Sequence, residues 1–211
     1  MLIAVINETS AADRNADIMA ALAGRGHEVV NAGMTRTGAQ PEMTYMNTAF
    51  LAALLLNARR ADLVVGGCGT GQGFLNAVLQ YPRVVCGHLQ TALDAWLFAQ
   101  INAGNCVSLA LLQGWGWASE VSLRMLFDSL LGVDAGVGYP PHRRDSQRDS
   151  RALLHKLSIA SHRAMADIVL AADERIVRPA LDYPGVMDLL DLPTLADQDL
   201  AEAVASRARP S

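Results

Sequence analysis

The feature that most constrains this chain is a glycine-rich stretch in its first half. Residues 66–73 are Gly-Gly-Cys-Gly-Thr-Gly-Gln-Gly, so five of these eight residues are glycine. Apolar residues at 63–65 precede the stretch, and a mostly apolar segment at 74–79 follows it. This pattern predicts a buried strand, a turn with backbone angles that glycine adopts easily, and then a helix. Unpaired N–H groups at the start of such a helix favour an anion.

The turn also contains a thiol and a hydroxyl, Cys68 and Thr70. It matches neither the Gly-x-Gly-x-x-Gly fingerprint of dinucleotide-binding proteins nor the Lys-Ser/Thr ending of a phosphate-binding P-loop. A smaller oxyanion, or an enediolate formed during a reaction, remains compatible with it. From the spacing alone two interpretations stay open: a thiol activated by the helix N-terminus, or a turn needed only for strand–helix packing.

Strand-like and helix-like patterns alternate along the first 135 residues. Apolar runs predict strands near 2–6, 27–33, 63–65, 83–87 and 105–112, and helical spacing predicts helices over 11–22, 44–57, 91–102 and 120–131. This alternation is typical of an α/β protein with a five-stranded parallel sheet and helices on both faces, a doubly wound or Rossmann-like fold. Ligands are then expected at the carboxyl ends of the strands.

The composition changes after residue 135. A turn-rich linker over 136–141 leads into a basic segment at 142–148, and residues 152–172 have the spacing of an amphipathic helix. Three prolines lie among short apolar clusters beyond it, at Pro179, Pro184 and Pro193. We therefore divide the chain into an α/β domain at 1–135 and a helical extension at 136–211, which packs on the body or on a partner subunit.

Charge and cysteine content exclude several classes of protein. The formal net charge is −4 and the pI is near 5.7, which argues against a nucleic-acid partner. Three cysteines without metal-type spacing fit reduced thiols. The apolar run after Met1 is too short for a membrane span. We expect a cytoplasmic protein without a membrane partner.

The motif Cys-Gly-Thr-Gly-x-Gly at 68–73 resembles the family of ribose-5-phosphate isomerase B and the galactose-6-phosphate isomerase subunits. The resemblance extends through residues 100–109, Gln-Ile-Asn-Ala-Gly-Asn-Cys-Val-Ser-Leu, and covers roughly residues 1–135. It implies a doubly wound sugar isomerase that uses no metal and no cofactor. It also implies a homodimer or homotetramer whose active sites are shared between subunits.

Carried over by position, the resemblance makes Cys68 the base that moves a proton between C1 and C2 of an open-chain sugar. Thr70 and the backbone N–H groups of Gly69, Gly71 and Gly73 would hold the enediolate oxyanion, whose charge develops as the proton leaves. A branch of the family uses a carboxylate a few residues later. Phe74 occupies that position here and cannot accept a proton, so the thiol branch is implied.

Further candidates lie outside the turn. The resemblance implies that Asn102 contacts substrate hydroxyls, and that Arg143 and Arg144 grip the substrate anion, although a solvated basic turn would explain the two arginines as well. Glu8 follows the first strand, where it could bind a hydroxyl or pair with a cation. His88 follows the fourth strand and is either structural or a second acid/base group.

Two departures from the family bear on the substrate. The usual start, Ser-Asp-His-Ala-Gly, is replaced by residues 7–11, Asn-Glu-Thr-Ser-Ala, and the histidine that opens a furanose ring corresponds to Ile101. Isoleucine cannot transfer a proton, which favours a substrate that is already open-chain. A longer branch of the family, associated with isomerisation of 4-deoxy-5-hexosulose uronate, has a similar length and motif.

The sequence therefore predicts an aldose–ketose isomerase that acts on a sugar phosphate or a keto-uronate. The alternative is a non-catalytic sugar- or anion-binding protein that keeps the fold without the chemistry.

Overall fold

A five-stranded, all-parallel sheet forms the centre of the chain in the computed structural model, which describes residues 1–208. In chain order the strands are β1 (Leu2–Asn7), β2 (Glu28–Asn31), β3 (Leu63–Cys68), β4 (Cys86–His88) and β5 (Cys106–Ala110). Across the sheet their order is β2-β1-β3-β5-β4. The predicted doubly wound α/β class and the five strands are confirmed.

The central strands are apolar because both of their faces are covered. Every residue of β3 is buried, as is every residue of β1 after Leu2, and continuous apolar runs are typical of such strands. The register pairs Asn7 with Gly67 between β1 and β3, and Cys68 with Ala110 between β3 and β5. The carboxyl ends of these strands therefore lie side by side at one edge of the sheet.

Two helical layers cover the sheet. One contains α1 (Asn15–Leu22), α4 (Ala92–Leu97) and α5 (Ser119–Leu131), and the other contains α2 (Tyr45–Asn57) and α3 (Gln72–Val78). Nine consecutive residues of α2, 47–55, are buried, because this helix lies between the sheet and the C-terminal helices.

The C-terminal part is helical. It consists of α6 (Arg144–Ser161), α7 (Met165–Ala171), α8 (Glu174–Leu181), α9 (Val186–Leu190) and α10 (Gln198–Ala208). Apolar residues of α7 to α10 belong to the same core cluster as α2. The end of the predicted extension, residues 209–211, lies outside the described residues, and the domain boundary near 135 stays a prediction. No helix within residues 1–208 is long and apolar enough to cross a membrane.

Three predicted elements differ from the structure. The fourth strand is shifted toward its carboxyl end, to Cys86–His88. The predicted helix over 91–102 is α-helical only to Leu97 and continues as a π-helix over Phe98–Asn102. The single helix predicted for 152–172 is wrong: α6 begins at Arg144, within the predicted basic segment, and ends at Ser161 before α7 begins.

Candidate active site

The glycine-rich stretch forms the predicted strand–turn–helix at the carboxyl edge of the sheet. β3 ends at Cys68, a residue that is 7% exposed. The Cys68 carbonyl accepts hydrogen bonds from the N–H of Gly71 at 3.2 Å and of Leu111 at 3.0 Å. α3 then begins at Gln72. The thiol is thus attached to a backbone that is fixed from two sides.

The predicted oxyanion donors differ in whether they are free. The N–H of Gly71 is engaged within the turn, and the Thr70 hydroxyl accepts a long hydrogen bond of 3.4 Å from the Gln72 N–H. Within residues 1–208 the N–H groups of Gly69, Thr70 and Gly73 have no acceptor. These three donors can serve an anion, whereas Gly71 contributes backbone conformation.

Gly71 is required for two reasons. Its φ of +74° lies in the left-handed region, and a Cβ there would come within 2.5 Å of Nε2 of His88. The His88 ring therefore lies directly against the turn. Its Nδ1 is 3.1 Å from the side-chain amide nitrogen of Gln72, while its buried Nε2 has no partner within the described part of the chain.

Glu8 comes next to Cys68 because β1 and β3 are paired in register. Asn7 pairs with Gly67, so the residues that follow them leave the sheet side by side. Glu8 is 4% exposed, and its carboxylate accepts hydrogen bonds from the N–H of Ser10 at 3.0 Å and from the Ser10 hydroxyl. Ser10 Oγ in turn lies near Gly69, 3.7 Å from the position of a Cβ on that residue.

Two residues at this edge were not named as site residues from the sequence: Tyr45, and Ser10 of the polar loop after β1. The ring of Tyr45, the first residue of α2, would lie 3.3 Å from a Cβ on Gly73 and is 42% exposed. The sequence offers one local indication that Tyr45 belongs to the site. It is a polar aromatic residue at the start of a helix that begins at the carboxyl edge. Ser10 is two residues from Glu8 in the first loop, which was a usable signal.

Of the other predicted site residues, Asn102 lies at the opposite edge of the sheet. Asn102 ends the π-helix that precedes β5 and is exposed. Arg143 and Arg144 are also exposed, at the start of α6. Arg151 links α6 to the π-helix and to the linker before α6, since its guanidinium donates to the carbonyls of Ile101 and Gly136, each at 2.8 Å.

Within one chain the two groups do not meet. β5 has five residues, so its two ends are about 13 Å apart at a rise of about 3.3 Å per residue. Cys68, Thr70, Glu8, His88 and the glycines are at the carboxyl edge, whereas Asn102 is at the amino edge. A cavity of about 400 Å³ at the amino edge is lined by Asn102 and Arg151, but not by Cys68.

The remaining cysteines have the surroundings of packed thiols. Cys106 is fully buried and pairs in register with Cys86 of β4. Burial raises the pKa of the Cys106 thiol well above its ordinary value, and a hydrogen bond with Cys86 raises it further. Cys106 therefore stays protonated and is unsuitable as a base, which leaves Cys68 as the thiol at the carboxyl edge.

The two departures noted in the sequence have clear positions. Phe74 is completely buried, with its ring against Gly66 of β3, so position 74 belongs to the core. Ile101 lies in the π-helix, and its carbonyl is bound by Arg151. An apolar side chain therefore stands beside Asn102.

Comparison with known proteins places these observations in a family. The model of the family described as Ribose/Galactose Isomerase matches residues 3–121, more than half of the chain. No curated protein matched the sequence.

Solved structures match over nearly the whole chain. A ribose-5-phosphate isomerase from Vibrio parahaemolyticus is 36% identical, with a TM-score of 0.92, covering 98% of this chain and 99% of its own. A 4-deoxy-L-threo-5-hexosulose-uronate ketol-isomerase, crystallised with a tartrate, is 32% identical, with a TM-score of 0.90 and the same coverage.

A more distant structure shows only the shared fold. The type B ribose 5-phosphate isomerase from Trypanosoma cruzi is 15% identical, with a TM-score of 0.64, covering 77% of this chain and 100% of its own. The family model and the two full-length matches agree with each other. The chain belongs to the ribose/galactose isomerase family and is a sugar isomerase.

Proposed function

We propose that this chain interconverts an open-chain aldose and ketose by proton transfer, with the Cys68 thiolate as the base. The observation that carries the proposal is the placement of Cys68 directly before a turn whose Gly69, Thr70 and Gly73 N–H groups have no acceptor in residues 1–208. A base and oxyanion donors on one rigid turn are what an enediolate intermediate needs.

The reaction requires two proton transfers. The thiolate removes a proton from the carbon beside the carbonyl, and the C–H electron pair forms the C=C bond while the carbonyl oxygen becomes negatively charged. The free N–H groups and the Thr70 hydroxyl stabilise that oxygen. The hydroxyl proton on the neighbouring carbon then passes to that oxygen, and return of the carbon-bound proton to the former carbonyl carbon gives the isomer with its carbonyl at the neighbouring carbon. Glu8 is placed to hold a substrate hydroxyl, and His88 is a second candidate for moving hydroxyl protons.

The substrate class follows from Ile101, which by the family resemblance takes the place of the ring-opening histidine. Because Ile101 lies at the amino edge of its own chain, a second copy would bring it to the Cys68 site. A phosphorylated sugar that exists mainly as a ring needs a proton donor to open it, and isoleucine provides none. The two full-length structural matches carry the names of a ribose-5-phosphate isomerase and of a uronate ketol-isomerase. Of these two substrate classes, the keto-uronate fits Ile101 better, because it presents its carbonyl without ring opening.

A partner subunit would complete the site. Within residues 1–208 the anion-binding candidates Arg143 and Arg144 make no hydrogen bond or ion pair with the Cys68 turn, so we infer that a second copy supplies them, as the family resemblance implies. Helix α6, which carries Arg144, has no buried residue and exposes Leu153 (65%) and Leu157 (61%). This exposed apolar face supports a homodimer or homotetramer. The cytoplasmic location remains a prediction.

The test is exchange of substrate C–H protons with solvent deuterium, followed by NMR. We expect the wild-type protein to exchange the proton next to the carbonyl of 4-deoxy-5-hexosulose uronate faster than that of ribose 5-phosphate. Cys68→Ala should lower the exchange rate about 100- to 10,000-fold, the usual contribution of a general base. Cys86→Ala is the matched control, since this thiol lies away from the turn, and should exchange at the wild-type rate.

Equal, slow exchange by the wild type and Cys68→Ala on both substrates would contradict the proposal. The alternative, a sugar- or anion-binding protein without isomerase activity, predicts that outcome together with saturable binding of the same compounds.

A further inference from the structure

A second cavity lies at the carboxyl edge, beyond β4 and β5, and none of the residues proposed for the proton transfer lines it. Its volume is about 370 Å³, within the range of about 300–1,000 Å³ that is usual for small-molecule pockets. It lies between the segments that lead into α4 and α5. Its lining residues come from 89–91, 109–115 and 119–126.

This cavity is distinct from the Cys68 site. Its leucines belong to the core cluster on the α1, α4 and α5 face of the sheet, whereas Cys68 belongs to the cluster on the α2 and α3 face. None of Cys68, Thr70 and Glu8 lines it. The two sites are nevertheless adjacent in space, because the N–H groups of Leu111 and Leu112 donate to the carbonyls of Cys68 and Gly69.

The cavity has a rigid apolar floor and one aromatic wall. Leu89, Leu109 and Leu123 are each at most 5% exposed, so the floor is part of the core. Trp115 lines the cavity, and the guanidinium carbon of Arg14 lies over its ring, 5.1 Å from the centroid. An aromatic ring held in this way presents a flat apolar surface.

The polar groups of the cavity are neutral, and several are unpaired. Within residues 1–208 the side chains of Gln90, Gln113 and Ser122 make no hydrogen bond to the protein. None of the lining residues is charged. An anionic or cationic ligand would gain no counter-charge from these lining side chains, whereas hydroxyl groups can both donate to and accept from amides and a serine hydroxyl.

We propose that this cavity binds a neutral pyranose sugar. The C–H face of the ring packs on Trp115 and the leucine floor, and the hydroxyl groups bond to Gln90, Gln113 and Ser122. This site is separate from the proton-transfer site and takes an uncharged, closed-ring sugar, whatever the substrate at Cys68. The inference does not depend on the proposed isomerase reaction.

The probe is methyl β-D-glucopyranoside, whose glycosidic bond prevents ring opening and so excludes it from isomerisation. Saturation-transfer NMR on the full chain should give a saturable signal. Ser122→Phe, which fills the cavity from an exposed position of α5, should abolish it. Trp115→Ala should weaken binding about tenfold, as expected for loss of one stacking contact.

Two variants serve as controls. Trp117 is completely exposed and does not line the cavity, so Trp117→Ala should bind the glucoside like the wild type, as should Cys68→Ala. Absence of a saturable signal with the wild type would overturn the proposal. Unchanged binding by both Ser122→Phe and Trp115→Ala, or loss of binding in Cys68→Ala, would place the sugar elsewhere and overturn it as well.

Discussion

At the scale of single residues, the contact between Gly66 and Phe74 positions the turn between them. The Phe74 ring lies so close to Gly66 that a Cβ on residue 66 would be 2.4 Å from Cζ of that ring. Phe74 is in the first turn of α3 and Gly66 is in β3. The contact between them therefore sets how closely the helix approaches the strand. This approach fixes both ends of the glycine-rich turn that carries Cys68.

Gly66→Ala should therefore destabilise the protein by about 1–3 kcal/mol, the usual cost of overpacking a core. Urea unfolding measures this. Gly116→Ala is the control, because a Cβ there meets nothing within 4 Å. Adding Phe74→Leu to Gly66→Ala should recover part of the loss, since the smaller side chain leaves room for the new methyl group. Additive losses in the double variant would rule out this contact as the cause.

How far the site could be predicted depends on whether its residues are close in sequence. Cys68, Thr70 and the glycines could be placed at the end of a buried strand because the turn is continuous. Tyr45 could not, because its contact with Gly73 joins residues from two different strand–helix connections. The sequence also could not show that the Gly71 N–H is bonded within the turn while those of Gly69 and Gly73 have no acceptor in residues 1–208. That difference depends on the geometry of the turn.

At the scale of elements, the C-terminal helices show why the apolar pattern misplaced a boundary. Residues 144–151 are almost entirely polar or charged and exposed, so the first half of α6 has no apolar stripe to predict it. α6 ends without glycine or proline because side chains take up its last carbonyls: Ser161 Oγ donates to Leu157 at 2.8 Å, and His162 Nδ1 lies 2.9 Å from the Ser158 carbonyl oxygen.

Asn47 connects two elements and gives a prediction at this scale. Its Oδ1 accepts from the Thr44 N–H at 2.7 Å, and its Nδ2 donates to the carbonyls of Arg175 and Ile176 at 2.7 and 3.0 Å. Asn47→Asp keeps Oδ1, which accepts from Thr44, but replaces the Nδ2 donor by a second carboxylate oxygen. That oxygen faces the carbonyls of Arg175 and Ile176 and repels them.

We expect Asn47→Asp to lower the free energy of unfolding by about 1–3 kcal/mol or more, the cost of leaving buried groups unpaired. Urea unfolding gives the value, and Asn76→Asp on the exposed side of α3 is the control. If the two variants were equally stable, Asn47 would not join α2 to α8 energetically.

At the scale of the whole molecule, the separation of the two site groups leads to a test of the assembly. Cys68→Ala and the double variant Arg143→Ala/Arg144→Ala should each be inactive as homo-oligomers. If sites form between subunits, each mixed dimer has one site with both Cys68 and the two arginines. Co-expression should then restore about a quarter of wild-type activity, from random pairing in a two-fold dimer.

The mixed oligomers can be isolated with two different affinity tags and assayed for isomerisation. No recovered activity in isolated mixed oligomers would mean that Cys68 and the arginines act within one chain, and the shared-site proposal would fail. Neither the order of the strands nor the assembly could be predicted from the sequence. The alternation of strands and helices predicted a parallel sheet, but it did not predict that β5 lies between β3 and β4.

That strand order has a consequence for synthesis on the ribosome. β4 pairs only with β5 in the sheet, and β5 follows it in the chain, so residues 86–88 have no strand to join until residues 106–110 have emerged. The nascent chain can assemble β2, β1 and β3 early, with the edge of β3 unpaired. Closing that edge, and with it adding the strand beside Cys68, therefore follows the pairing of the first three strands and waits until about half of the chain has emerged.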